Sequence, residues 1–394
     1  MQFVASPEGV IKVMIRPTRK MAAVIAAAVL VAGGIAARCF NANSSSSKIE
    51  AEVPNRNRAH IKNPLGIIWE PLAGDPLVTG SSGLSWRTAG ATDPTIQRRA
   101  DGSLTMWFTT MGIRKRANGA FAADGPWTGR AAANNAVFPH LIVEPEKPVV
   151  PLGDVGAWDR YVETPTVRVN ASGHGWTMWY LGYTERSGPT GFLRPALGQM
   201  ESENIEGTIW RRPSAPIYRP EAKAWDGTLV SGPTVLRGPD GIWRLYYCAW
   251  GIGGAVPRQG IGLLTSKDRV KWTPYPHNPI LEGKAGAWDE ELLEPAAIYY
   301  KGKYWLWYSG TPHINKRLQI GLAMSDDGIH WSRCAHNPVL RPGPPGTWDD
   351  HGVLAPDVIV DKDGSLLMAA YGSSNEDVAK NRSSGSIGLW KSRP

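Results

Sequence analysis

Cysteine is scarce in this 394-residue chain, which has three, at positions 39, 248 and 334. Cys39 closes an apolar leader, so two are left for the body. Nothing in the spacing of Cys248 and Cys334 asks for a pairing, and no Cys/His cluster has zinc-ligand spacing. Neither a disulfide framework nor a metal staple is expected to hold the fold. Runs of one charge are also scarce. The formal charge is +8, but Lys12, Arg16, Arg19, Lys20 and Arg38 against Glu8 place +4 of it in residues 1–40, leaving +4 for the rest. No Lys/Arg stripe in the body could track a phosphate backbone, which argues against nucleic acid as a partner. With 20% charged and 42% hydrophobic residues, the composition is globular, which excludes a disordered chain.

One long apolar run stands out. Basic residues up to Lys20 precede an uncharged stretch from Met21 to Ala37. Its length and flanks fit a signal peptide or a single-span anchor. Arg38 directly before Cys39 argues against a lipoprotein cleavage box. A linker follows over residues 41–64, with serine at every position from Ser44 to Ser47. The expected organisation is therefore a targeting segment (1–40), a flexible tether (41–64) and one folded domain (65–394). That places the protein outside the cytoplasm, either secreted or periplasmic, or tethered to a membrane through residues 21–37. A monomer is expected.

What the body has in excess is tryptophan (18), glycine (44) and proline (32), the mark of short strands joined by tight turns. These residues recur. Trp158-Asp159 leads to Pro165, Trp225-Asp226 to Pro233, Trp288-Asp289 to Pro295 and Trp348-Asp349 to Pro356, always after seven or eight residues. A degenerate first copy is Trp86-Arg87 with Asp93-Pro94. The five tryptophans are 72, 67, 63 and 60 residues apart. About a dozen residues beyond each proline comes an aromatic-rich strand, introduced in four copies by Asp101-Gly102, Asp240-Gly241, Lys301-Gly302 or Asp363-Gly364, which is hairpin chemistry. A third strand reads Ile-Gly-Leu at residues 261, 320 and 387 onward. A fourth is marked by Trp272 with Asn278-Pro279 and by Trp331 with Asn337-Pro338. The last repeat stops after its third strand, and its missing fourth-strand signature stands at the start of the domain, at Trp69 and Asp75-Pro76. The sequence thus predicts an all-β, five-bladed β-propeller with four antiparallel strands per blade, its ring closed by the N-terminal strand of the domain. Closure removes an exposed sheet edge.

The Trp-Asp…Pro-x-Val strand, the Asp-Gly hairpin and Ile320–Trp331 (Ile-Gly-Leu-Ala-x-Ser-x-Asp-Gly-x-x-Trp) together resemble the five-bladed propeller glycosidases of families 32, 43, 62, 68, 117 and 130. The resemblance covers residues 65–394. It implies acidic residues on the innermost strands, one protonating the leaving oxygen and one acting as base or nucleophile. In front of the repeat proline stand Asp93, Thr164, Gly232, Glu294 and Ala355, so two carboxylates interrupt a set of small neutral residues. Glu163 lies one residue earlier in blade two and Asp357 one residue after the proline in blade five. Plain alternation puts Asp93, Glu294 and Asp357 on one face and Glu163 on the other, unless a bulge re-aims it. Asp93 is expected as base or nucleophile and Glu294 or Glu163 as acid. Asp357, Arg160 and His351 are the candidate substrate-binding residues. Blade three departs from the family pattern, with Ser231-Gly232-Pro233 where many members carry a Glu. The repeated Asp159, Asp226, Asp289 and Asp349 read as structural loop caps.

The expected activity is hydrolysis of glycosidic bonds in an oligo- or polysaccharide, with furanosides such as arabinan, xylan side chains or fructan in view. A phosphorylase or transglycosylase on the same scaffold, or a non-catalytic sugar-binding propeller, are the alternatives. No cofactor is demanded, although a calcium ion in the channel is compatible with the pattern.

Overall fold

A computed structural model describes residues 64–394 apart from 73–75, 81–84, 89, 116–120, 134–141, 144–146, 186–192, 252–257, 313–316 and 377–384. The targeting segment and most of the tether therefore lie outside the described residues.

The chain opens with β1 (Ile68–Pro71) and then lays down its sheets in order. Blade one is β2 (Ala91–Arg98), β3 (Leu104–Lys115), β4 (Phe121–Ala132) and β5 (Ile142–Val143). Blade two is β6 (Tyr161–Val169), β7 (Trp176–Tyr183), β8 (Ala196–Ser202) and β9 (Trp210–Arg211). Blade three is β10 (Leu229–Arg237), β11 (Trp243–Gly251), β12 (Arg258–Ser266) and the short β13 (Thr273–Pro274) and β14 (Leu281–Glu282), both paired with β12. Blade four is β15 (Glu291–Tyr300), β16 (Lys303–Thr311), β17 (Gln319–Ser325) and β18 (Ser332–Arg333). Blade five is β19 (Gly352–Val360), β20 (Leu366–Ser373) and β21 (Ser386–Arg393), with β1 as its fourth strand. All ladders are antiparallel.

The ring closes as the repeat analysis expects. Trp69 pairs with Ser392 and Pro71 with Trp390, and Val78 bridges Ile387. The innermost strands β2, β6, β10, β15 and β19 each touch the next, and β19 touches β2. The hydrophobic core is correspondingly divided among the gaps between blades. Ile96, Met106 and Phe108 pack on Leu367 and Leu389 of blade five, for example, and Leu306 and Tyr308 on Tyr246 and Ile261 of blade three.

The Trp-Asp signature is a device for holding a loop against its blade. Tyr180, Tyr247 and Tyr308 on the second strands donate to Asp159 (2.8 Å), Asp226 (2.9 Å) and Asp289 (2.9 Å). Trp158 and Trp288 stack on Tyr180 and Tyr308 with interplanar angles of 19° and 20°. Directly opposite each tyrosine the third strand carries Gly198, Gly262 or Gly321, and a Cβ there would lie 2.3–2.6 Å from the ring. Blade one explains its own irregularity. Phe108 has no hydroxyl to donate, and the aspartate position is Arg87. The structural reading holds for Asp159, Asp226 and Asp289.

Candidate active site

Every innermost strand loses register once, between Thr92 and Thr95, Glu163 and Thr166, Ser231 and Thr234, Leu293 and Ala296, and Leu354 and Asp357. Each break contains the repeat proline and the residue before it. Proline offers no N–H to a ladder, so a bulge is where a paired strand can carry it. The pre-proline residue takes a positive φ in all five blades: 48° at Asp93, 50° at Thr164, 55° at Gly232, 31° at Glu294 and 51° at Ala355. For the four that are not glycine this region is sterically costly, on the order of 1–3 kcal/mol each. In return, the bulge turns these residues out of the blade interface and toward the axis. They and their prolines line one pocket, together with Thr166 and Asp357.

Two of the carboxyls that line this pocket, Asp93 and Glu294, are pre-proline residues. Asp93 and Glu294 are each 5% exposed. Burial and then the charge of Glu163 push Asp93 up to about 7, and burial, then the charges of Asp93 and Glu163, push Glu294 well above the ordinary carboxylate range. Like charges in a dry site cannot all ionise together, so a proton stays in this group at neutral pH. One oxygen of Asp93, Oδ2, is buried without a hydrogen-bond partner, while Oδ1 accepts from Thr92 Oγ1 at 3.2 Å. A buried acceptor left open in a pocket is what a ligand hydroxyl or water would satisfy.

The remaining sequence candidates separate from this pair. Glu163 is fully buried and is not part of the pocket wall; Tyr183 donates its hydroxyl to Glu163 Oε1. Here the bulge re-aims Thr164, and Glu163 stays behind it, close enough to act on both carboxyls through its charge. Asp357 does line the pocket, but its oxygens accept from Ile96 N–H (2.8 Å), Thr95 Oγ1 (3.1 Å) and Arg168 (2.8 Å). Thr95 and Thr234 fill the same post-proline position and accept the N–H of Val167 and Ala297 in the next blade. Asp357 is thus the blade-five member of an inter-blade girdle that also ties down Arg168. Arg160 lies in the blade-two entrance loop, donating to Gly153 O at 3.0 Å and resting 5.6 Å over the Tyr161 ring. His351, in the blade-five entrance, sets Nδ1 3.2 Å from Asn375 Oδ1. Neither Arg160 nor His351 is in the pocket wall.

A second girdle runs through the bulges themselves. Thr109 Oγ1 accepts the Thr164 N–H at 2.9 Å, and Thr164 Oγ1 that of Gly232 at 3.2 Å. Cys248 Sγ takes the Glu294 N–H, and Ser309 Oγ that of Ala355 at 2.8 Å. The Thr109 hydroxyl works against the upward push on the Asp93 carboxyl, and Ser309 Oγ donates to Glu294 Oε2 at 3.4 Å. Sequence reasoning passed over these second-strand residues. The signal available was that aligned second strands carry a small hydroxyl in the two blades that carry a pre-proline acid. Among the described residues no group of His, Cys, Asp and Glu has the geometry of a metal site.

With this geometry established, comparison with known proteins is informative. The model of the glycosyl hydrolases family 32 N-terminal domain matches residues 228–393, which span blades three to five. A glycosyl hydrolase from Bacteroides ovatus superposes with a TM-score of 0.59 at 16% identity, covering 82% of this chain and 92% of that one. The chain has the five-bladed propeller fold of the glycoside hydrolases. A solved member of this group, described among the family-130 mannoside phosphorylases and hydrolases that target β-1,2-mannosidic linkages in Candida mannan, superposes with a TM-score of 0.57 at 18% identity, covering 82% of this chain and 93% of that one. The uncharacterized protein Rv1502 of Mycobacterium tuberculosis is 30% identical, with 37% of this chain and 51% of that protein covered. The chain thus spans about half the length of this curated relative.

Proposed function

We propose that the protein cleaves glycosidic bonds, with Asp93 and Glu294 as the reacting carboxyls and an oligo- or polysaccharide as substrate. The observation that carries this reading is that two buried carboxyls from blades one and four share one pocket at the axis. Glycosidic cleavage needs one carboxylic acid and one carboxylate at the same bond. Glu294 has the more strongly favoured proton and is the general acid. Asp93, with its open Oδ2, is the base or nucleophile. Glu163, buried behind them, keeps the shared proton in place by its charge. This chemistry draws on no cofactor. Furanosides are the first substrates to try, and an extracytoplasmic location, secreted or tethered through residues 21–37, goes with such a substrate.

The test is a screen of the purified protein against aryl glycofuranosides and glycopyranosides, with and without inorganic phosphate. A free sugar as product identifies a hydrolase, and a sugar 1-phosphate a phosphorylase. Asp93→Asn should abolish turnover with the fold intact. Glu294→Gln should slow substrates with poor leaving groups far more than activated aryl glycosides, which need little protonation. Full activity in Asp93→Asn would overturn the assignment and favour a non-catalytic sugar-binding propeller.

A further inference from the structure

The two pocket acids are each accompanied by a hydroxyl on the neighbouring strand of their own blade. Thr109 is paired with Thr92, next to Asp93, and Ser309 with Leu293, next to Glu294. The corresponding pairs in the other blades are Glu163 with Leu181, Ser231 with Cys248 and Leu354 with Tyr371. Small hydroxyls therefore occur at this position in the blades that have a pre-proline carboxyl and not in the three that lack one. Accepting the next blade's N–H does not by itself require a hydroxyl, since the Cys248 thiol takes that of Glu294.

A hydroxyl adds a proton with a direction. The Thr109 and Ser309 oxygens each accept a backbone N–H, from Thr164 at 2.9 Å and Ala355 at 2.8 Å. One lone pair is then committed, and the single O–H proton is turned away from that N–H. For Ser309 the acceptor is Glu294 Oε2 at 3.4 Å, and Thr109, paired with the residue before Asp93, lowers the pKa of that carboxyl. Backbone N–H, hydroxyl and carboxyl form a short chain that polarises in one direction. A donor to a carboxyl oxygen favours the ionised form and fixes the rotamer.

We infer that Thr109 and Ser309 are positioning residues, each relaying a backbone N–H of the following blade onto a pocket carboxyl, so that Asp93 and Glu294 are oriented and biased toward ionisation by the ring itself. This rests on the reading of Asp93 and Glu294 as the reacting pair, but the hydrogen-bond relay can be measured without turnover.

The experiment follows carboxyl 13C shifts of the full-length protein through a pH titration, with Asp93 and Glu294 assigned from Asp93→Asn and Glu294→Gln. Thr109→Val keeps the shape and removes the hydroxyl. It should raise the Asp93 midpoint by about one pH unit, the equivalent of a charge-assisted hydrogen bond of roughly 1.4 kcal/mol. Thr109→Ser should restore the midpoint. Ser309→Ala is the independent arm and should raise Glu294 further, which keeps the proposal testable if Thr109→Val does not fold. If an active substrate is found, the acidic limb of the kcat/KM profile should move up with Thr109→Val and return with Thr109→Ser. Shifted midpoints in a protein with no glycosidase activity would uphold the relay and defeat the proposed function. Midpoints unmoved in both Thr109→Val and Ser309→Ala, with only thermal stability lowered, would overturn the relay and leave these hydroxyls a structural role.

Discussion

A methyl group on Gly232 would lie 2.9 Å from Glu294 Cα and 3.1 Å from its Cγ. Gly232 stands in front of the blade-three proline, and Glu294 of the next blade leans over it. Gly232 also has φ of 55°, but Thr164 and Ala355 tolerate nearly the same angle, so the close approach is the stronger constraint. Gly232→Ala should therefore displace Glu294. Overpacking is expected to cost about 1–3 kcal/mol, and a shift of the acid by about 1 Å can lower turnover about 100-fold. Denaturant unfolding and kcat on an aryl glycoside would read the two effects. A variant as active as the parent would show that the acid does not need this gap.

Asp93 lowers the stability of the fold at neutral pH. Its folded value, about 7, lies above the roughly 4 of an unfolded aspartate. Between those values the unfolded chain releases a proton that the folded protein retains, so stability falls as pH rises through that window and then levels off. Below pH ~4 both states hold the proton and the penalty vanishes. Asp93→Asn removes it at every pH. The variant should melt several degrees higher than the parent at pH 8 and at nearly the same temperature at pH 4. Melting curves at the two pH values that keep the same difference would refute this.

Tyr308→Phe tests the loop cap. The tyrosine hydroxyl donates to Asp289 Oδ2, which also takes Arg333 Nε at 2.7 Å, and accepts from Asn337 at 3.1 Å. Asp289 is 2% exposed, so losing a donor leaves a buried carboxylate short of a partner, worth roughly 1–3 kcal/mol. Urea unfolding should show that loss, with kcat unchanged because the pocket lies on another strand. A change below about 0.5 kcal/mol would mean that Arg333 alone holds the loop.

Much of the architecture could be read from spacing. The Trp-Asp pairs recur every 60–67 residues, and in blades two to four their partner is the same, the tyrosine and glycine of the second and third strands. Even the defective first copy was legible, since Arg87 and Phe108 are changed together. The borrowed fourth strand followed from counting, because an unfinished last repeat and an orphan signature at the front can be reconciled only by a closed ring.

The site was only half legible. Asp93 and Glu294 stood out as carboxyls in a position otherwise neutral, and both line the pocket. Glu163 and Asp357 stood beside this position, one before the pre-proline residue and one after the proline, and were candidates with them. Alternation along a strand cannot foresee that the bulge turns the pre-proline residue inward, leaving Glu163 under Tyr183. Nor can it foresee that Asp357 meets Arg168, 189 residues away in sequence. The roles of Thr109 and Ser309 were equally hidden, since their partners include backbone N–H groups of the following blade. By itself the sequence determined the number of blades, their strands and the closure of the ring, because these depend on local period and on residues that recur in every copy. Only the tertiary structure decided which carboxyls share a proton. That depends on burial and on distances between strands of different blades, which a one-dimensional repeat does not encode.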